Sequence, residues 1–382
     1  MALQIKVFDQ NLRSAWNEFV AGHPFGSPLQ YWEWGEVKRS AVWRPIRLGI
    51  FDNHQLVGAA QILRRQLPMG FFLLYCPRGP VISWNDDKSI EILSTLLKSV
   101  KQDYTSWRTL FFRLEPPIIN NQPRTGIDAV QDKQPTISNQ QLFPYFKSIQ
   151  PSHTAIVDLT AAKEEILYRM DKDTRYGIRR GAREGVRVVK DGGSSLGLWK
   201  QFYKMYKETA QGVFVHRPWR QFEKIFKLMA PRGQAELFLS FLPPHPSGQK
   251  SHLPFVITGN LPEGARLIAG AVILKTKLRG YYLWGASKIT PEIKNLFGAY
   301  ILQWEIMQSL KEEGVKSYDL WGVAPNDDPK HSWSGHTLFK KGFGGKRINY
   351  LGCLDLPLSP LYRLYLAADY ARQKLLKPDL IE

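Results

Sequence analysis

The run LVGAAQILRR at residues 56–65 returns in altered form as LIAGAVILKT at 267–276. Matching Ala60 to Ala271 gives an offset of 211 residues, and the same offset pairs Ile62 with Ile273, Leu63 with Leu274 and Leu67 with Leu278. Downstream, FFLLYCPRG answers to GYYLWGAS, each an aromatic, strand-like run that enters a Gly-containing turn. KSIEILSTLLKSVKQ and FGAYILQWEIMQSLKEEG follow, both with apolar residues at helical spacing, and then the strands TLFFRLEPP and KSYDLWGVAP. Upstream, helices around Ser14–Val20 and Trp32–Lys38 precede the strand IRLGIF, and helices around Leu198–Glu208 and Trp219–Leu228 precede ELFLSF. One pair of similar apolar strands would mean little. The whole order, two helices, three strands, a helix and a strand, occurring twice, constrains the chain to two copies of one mixed α/β (α+β) unit.

The expected boundaries follow from the repeat. The first domain covers 1–150, including a Pro-, Asn- and Gln-rich linker at 116–150 that is poor in core formers, and is completed by the C-terminal segment 350–382. The second covers 151–349 and is interrupted by the loop PPHPSGQKSHLP. The tail SPLYRLYLAADYARQKLL predicts an amphipathic helix docked on a domain core. With 382 residues, 43% of them hydrophobic, the chain can bury two cores. Its net charge of +18 favours an anionic partner: nucleic acid, a phosphorylated substrate or an anionic membrane surface. The two cysteines form neither a disulfide framework nor a metal-ligand spacing, which fits a reducing compartment. The N-terminus lacks a signal-peptide pattern, and no stretch approaches about 18 uninterrupted apolar residues. The expectation is a cytoplasmic monomer with peripheral access to the membrane surface.

The element order resembles the GNAT acyltransferase fold, here in tandem. A GNAT acetyltransferase cradles the CoA pyrophosphate on backbone N–H groups of a Gly-rich loop ahead of a helix. The matching stretches read CPRGPVISWNDD and GASKITPEIKNLFG, and neither has the Arg/Gln-x-x-Gly-x-Gly/Ala spacing. Pro77 and Pro80 also remove donors from the first. CoA is disfavoured, and a basic chain points instead to a nucleic-acid carrier of the acyl group.

Taken in order, YWEWGEVKRSAVWRP, CPRGPV, FRLEPP, DTRYGIRRGAREGVRV, YDLWGV and FKKGFGG resemble the Fem family of peptidoglycan bridge-forming aminoacyltransferases. The resemblance runs from about Ser27 to about Pro360. It implies an enzyme that takes an amino acid from aminoacyl-tRNA and adds it to the stem-peptide amine of UDP-MurNAc-pentapeptide or lipid II, with no cofactor and no metal. Some members carry a coiled-coil arm in the second domain; residues 186–230 have no sustained heptads, so this chain resembles the armless type. Two other readings stay open: an N-acyltransferase of the same fold using another donor, and a non-catalytic tRNA- or membrane-binding protein.

Lys38 lies one turn beyond Trp34, at a helix C-terminus, where a cation is stable without any ligand. The resemblance implies that Lys38, with Trp34, binds the precursor phosphates, and that Arg217 of the second domain joins it across a groove between the two units. A tyrosine usual in the family four residues after this arginine is replaced by Gln221, followed by Phe222. Glu115 ends a strand, a common place for a turn carboxylate; the resemblance puts an acid, usually Asp, near the incoming amine. Arg175, Arg179, Arg183 and Arg187 recur every four residues, with Arg180 beside them, and Gly185 is expected to end their helix. They form a solvated basic face or a contact surface for tRNA phosphates. In FKKGFGG, read as an extended glycine-hinged loop, the resemblance assigns Lys340 to the oxyanion of the transfer step. Phe339 packs or stacks near the tRNA end, and Lys341 faces solvent or tRNA phosphate. His331 and His336 flank a Trp-Ser-Gly turn, and spacing names neither as a base.

Overall fold

The computed structural model describes residues 3–119, 142–211, 214–244, 256–288 and 290–375. Most of the 116–150 linker and of the PPHPSGQKSHLP loop lies outside them. The chain divides into two units, Met1–Ser152 with Ile348–Pro378, and His153–Arg347. Unit 1 begins with β1 (Gln4–Val7), α1 (Arg13–Gly22), α2 (Trp32–Lys38), β2 (Trp43–Asp52), β3 (Gln55–Gln66), β4 (Phe72–Cys76), α3 (Ser89–Tyr104), β5 (Thr109–Leu114) and β6 (Phe143–Pro144). Unit 2 runs β7 (His153–Asp158), α4 (Lys163–Tyr168), α5 (Lys172–Arg183), β8 (Arg187–Asp191), α6 (Leu196–Ala210), α7 (Trp219–Leu228), β9 (Ala235–Leu242) and β10 (Val256–Thr258). It continues through β11 (Arg266–Lys275), β12 (Arg279–Ser287), α8 (Pro291–Lys294), α9 (Gly298–Glu312), β13 (Ser317–Gly322) and α10 (Ser334–Gly342). The strand β14 (Lys346–Asn349) follows, and the chain returns to unit 1 with β15 (Leu354–Pro357) and α11 (Tyr362–Leu375).

The first sheet has the order β1-β2-β3-β4-β5-β15-β6, the second β10-β8-β9-β11-β12-β13-β7-β14. Without the edge strand β10, the two orders match position by position. The hairpins differ in length: Leu63 lies opposite Tyr75, twelve residues on, whereas Leu274, offset by 211, lies opposite Tyr281, only seven residues on. The repeat is therefore a duplication of a mixed α/β fold. Each unit has its own core. In unit 1, Ile92, Leu93, Leu96, Leu97 and Val100 of α3 pack with Leu48, Ile50, Ala60 and Ile62. In unit 2, Ile301, Leu302, Trp304, Met307 and Leu310 of α9 pack with Phe238, Ala271 and Ile273.

The helix of the arginine run ends where Gly185 was expected to end it, which leaves Arg187 outside. The helix α5 stops at Arg183, Gly185 takes a left-handed φ of 80°, and Arg187 opens β8 as a buried residue. The glycines inside α5 have a packing cause. A Cβ at Gly177 would lie 2.9 Å from the Tyr300 ring, and one at Gly181 would lie 3.2 Å from the Leu296 carbonyl. Glycine lets α5 approach α9 closely, at a propensity cost of roughly 1 kcal/mol each.

Buried Glu305 on α9 accepts from Gln308 Nε2 at 3.0 Å, and burial pushes its carboxyl up to about 7 from an ordinary 4.5. A raised folded-state value means that stability is fully present below pH 4.5 and is lost as pH rises through 7. Glu305→Gln is accordingly expected to match wild type near pH 4.5 and to exceed it by about 1–3 kcal/mol at pH 8.5. Urea unfolding at both pH values reads the difference, and equal stabilities at pH 8.5 would refute it.

Candidate active site

The two units differ where their central parallel strands end. In unit 1, β4 and β5 stay paired to their last residues, Cys76 opposite Leu114, and Glu115 N–H donates to the Cys76 carbonyl at 3.2 Å. In unit 2, β12 and β13 pair only from Arg279–Ser317 to Tyr281–Asp319, although β12 continues to Ser287 and β13 to Gly322. Beyond that point the strands part, and their facing edges carry backbone groups unpaired with each other. The departure of β13 is built in. Trp321 takes a left-handed φ of 63°, a conformation costing a non-glycine residue on the order of 1–3 kcal/mol. Buried Asp319 holds it by accepting Trp321 N–H at 2.8 Å, and the Thr154 hydroxyl of β7 also donates to Asp319.

Lys340 sits beside this parting. Its Nζ donates to the Gly322 carbonyl at 2.6 Å and lies 5.8 Å from the Tyr282 ring centroid. Burial pushes the Tyr282 phenol up to about 12. Nearby, the buried Tyr318 hydroxyl donates to Gln303 at 2.7 Å. His336, one turn before Lys340, is held below its ordinary range by partial burial and then by the Lys340 charge.

FKKGFGG is not an extended, hinged loop. Phe339, Lys340, Lys341 and Gly342 are the last turn of α10, where two cations suit the helix C-terminus. Adjacent lysines diverge by the helical turn rather than by strand alternation. The glycines serve close packing. A Cβ at Gly342 would meet Thr174 Oγ1 at 2.3 Å, and Gly344, with φ of 77°, lies against the Arg169 carbonyl. Phe339 packs between Tyr300 and Phe343, at ring separations of 5.1 and 5.2 Å. Lys341 is ion-paired with Asp327 at 2.8 Å, and Arg347 shares that carboxylate.

In unit 1, Lys38 ends α2 with its Nζ 5.0 Å from the ring centroid of buried Trp34. In unit 2, exposed Arg217 precedes α7, and its backbone N–H donates to the Tyr206 hydroxyl at 3.4 Å. Phe222 is fully buried against Trp284. Glu115 differs from the carboxylate expected to face an amine. It is 3% exposed and accepts from the N–H groups of Ile149 and Gln150 at 2.8 Å each, from Cys353 Sγ at 3.1 Å and from the Tyr75 hydroxyl. Its oxygens are taken, so the geometry is that of a clamp holding the linker's return to unit 1.

Two of the four α5 arginine candidates are occupied elsewhere. Arg175 donates to the carbonyls of Tyr168 and Met170, closing the turn after α4, and Arg180 pairs with Glu184 at 2.6 Å. Arg179 and Arg183 are exposed one turn apart, next to Tyr176, itself 49% exposed. Sequence reading did not single out Tyr282, Asp319 or Trp321. Their signal lay in GYYLWG and YDLWG, read there as strands and, for the second, as one motif of the family's order, with no residue of either given a role. Among the described residues, no His, Cys, Asp and Glu cluster has the arrangement of a metal site.

Two sheets of one strand order, the second with a parted parallel pair, define a tandem GNAT-like acyltransferase fold. The FemAB family model matches residues 13–227 and 262–370, and the chain belongs to that family. It is similar to a lipid II:glycine glycyltransferase of Staphylococcus haemolyticus, 25% identical over 396 residues, covering 91% of this chain and 92% of the relative. A second such enzyme, from Staphylococcus saprophyticus subsp. saprophyticus, is 25% identical over 397 residues, covering 92% and 93%. Among solved structures, the crystal structure of FemX superposes with a TM-score of 0.76 at 22% identity, over 95% of this chain and all of that one.

Proposed function

We propose that this chain is a peptidoglycan bridge-forming aminoacyltransferase, and that it takes its amino acid from aminoacyl-tRNA and delivers it to the stem-peptide amine of lipid II or its UDP-linked precursor. The observation that carries the reading is the parted β12–β13 pair with Lys340 at its side. Strand edges that have parted from each other turn backbone groups toward the space an extended aminoacyl end would enter. Unit 1, closed at the same place and filled by Glu115, offers no such edges. The relatives' activity on lipid II supports the acceptor class.

An aminoacyl ester is already activated, so the protein's task is to orient the amine and to stabilise the tetrahedral oxyanion. The amine attacks the ester carbonyl carbon, the carbonyl pair moves to oxygen, and collapse expels the tRNA ribose oxygen, which takes up the proton lost by the amine. The Lys340 ammonium has three donors, and one is engaged by Gly322. Anchored there, the ammonium is assigned to the oxyanion. Lys38 and Arg217 are assigned to the precursor phosphates.

The test is incubation with charged tRNA pools and each precursor, followed by mass analysis of the product. One added aminoacyl residue supports the reading. Transfer from acetyl-CoA, with none from charged tRNA, would replace it by the N-acyltransferase alternative. The tRNA contact is assigned to Arg179 and Arg183. Replacing both with Ala is expected to weaken tRNA binding and to reduce the slope of log affinity against log salt by about 0.7–0.9 per lost phosphate contact. An unchanged slope in a filter-binding titration would move the tRNA off α5.

A further inference from the structure

One edge of the unit 1 sheet brings together four chain segments that the transfer chemistry does not use. They are the start of β2, the β3–β4 turn, the α3–β5 turn and the entry to α11. Backbone bonds fix them side by side: Gln66 N–H donates to the Val42 carbonyl at 2.8 Å, and Phe72 N–H to the Arg108 carbonyl at 2.8 Å. Ser359 Oγ donates to the Trp107 carbonyl at 3.4 Å. Large apolar side chains stand out from this edge: Met69 is 85% exposed, Leu364 68%, Trp107 67%, Val42 47% and Leu361 37%. Soluble surfaces scatter such residues singly, and several together on one edge mark an interaction site.

The charge of the same edge is uniform. Residues 42–44, 64–72, 105–109 and 358–364 contain Arg44, Arg64, Arg65, Arg108 and Arg363 and no acidic residue. The guanidiniums lie over the aromatic rings: Arg108 is 4.6 Å from the Trp107 centroid, Arg65 5.3 Å from Trp43 and Arg64 3.8 Å from Phe72. Apolar tips with interfacial tryptophan, set among arginines, match the layering of an anionic bilayer: acyl chains, then carbonyls, then phosphates. A nucleic acid would use the arginines and rings but would give Met69, Leu361 and Leu364 nothing apolar to enter. Among the described residues, no helix is long and apolar enough to cross a membrane.

We propose that this edge is a docking surface by which the protein lies on an anionic phospholipid bilayer, with Met69, Trp107 and Leu364 inserted to the acyl boundary and the arginines at the phosphates. Lys38, five residues before Trp43, ends the helix that leads into this edge, so a lipid-linked acceptor would meet its proposed phosphate site at the membrane face. That last step rests on the proposed function; the docking does not.

The experiment is co-sedimentation of the full chain with vesicles of phosphatidylcholine alone, or of phosphatidylcholine mixed with phosphatidylglycerol. The protein is expected to sediment with the mixed vesicles only and to be released by high salt. Met69→Ser/Trp107→Ser/Leu364→Ser is expected to lower partitioning at least tenfold. Arg44→Gln/Arg65→Gln/Arg108→Gln should lower it on the order of a hundredfold. Both variants should keep the wild-type melting temperature and transfer to a soluble precursor. Wild-type protein left in the supernatant with both vesicles, or an apolar variant that sediments like wild type, overturns the docking. So does an arginine variant that loses tRNA affinity while binding vesicles normally, which would make the edge a nucleic-acid face. Loss of vesicle binding in the variants without transfer to any precursor would sink the proposed function and leave the docking standing.

Discussion

Lys340→Ala is expected to lower kcat by about a hundred- to a thousandfold, the cost on the order of 2.7–4 kcal/mol of removing one preorganised oxyanion donor. The ammonium is held by the Gly322 carbonyl at 2.6 Å and lies beside the Tyr282 ring. A group anchored before the substrate arrives needs little reorganisation when charge develops. Because the oxyanion exists only in the transition state, kcat and kcat/KM should fall together while KM for the precursor changes little. Lys341→Ala is the control. Its charge is spent on Asp327, 2.8 Å away, and turnover should stay near wild type. Steady-state kinetics at saturating charged tRNA decides the matter, and near-normal turnover for Lys340→Ala would return the lysine to a helix-terminal role.

Asp355→Ala is expected to destabilise unit 1 by about 3–5 kcal/mol, enough to leave much of the protein unfolded at moderate urea. Arg113 donates to both Asp355 oxygens at 2.7 Å, Tyr362 adds a third bond at 3.0 Å, and the carboxylate is 0% exposed. The guanidinium is also stacked 3.3 Å from the Tyr145 ring centroid. Removing the acid would leave that cation buried and uncompensated. The double change Arg113→Met/Asp355→Leu removes both charges together and should recover most of the loss. Urea midpoints for the two variants separate an ion-pair role from simple overpacking. A single variant as stable as wild type would show that water reaches the guanidinium.

Much of the fold was legible because the repeat is carried by long periodic segments. The helices at 32–38 and 219–228 stand at the residues where the pattern placed them. Local pattern fails where a distant contact decides. In FKKGFGG the glycines read as a hinge, yet each makes room for a neighbour, Thr174, the Arg169 backbone or Ala155, that is remote in sequence. The packing reasons for Gly177 and Gly181 are equally remote, Tyr300 and the Leu296 carbonyl. Glu115 looked like a strand-end acid; its four donors come from residues 75, 149, 150 and 353, which no spacing brings together. The parting of β12 from β13 is a matter of backbone pairing and of one left-handed tryptophan, and neither leaves a periodic trace.

The placement of β15 has a consequence for how the molecule is made. That strand is the last among the described residues, yet it sits inside the first sheet between β5 and β6, and its Asp355 meets an arginine 242 residues upstream. A ribosome therefore releases a first unit that lacks an interior strand and carries an unneutralised arginine. The second unit, whose corresponding place is filled by β7 from its own beginning, is complete as soon as its last residues emerge. Vectorial synthesis is inverted here: the half made first closes last, with the finished second unit as the loop between its two pieces. Until Pro357 is out, the open edge of β5 is an aggregation hazard of the kind that chaperones exist to cover.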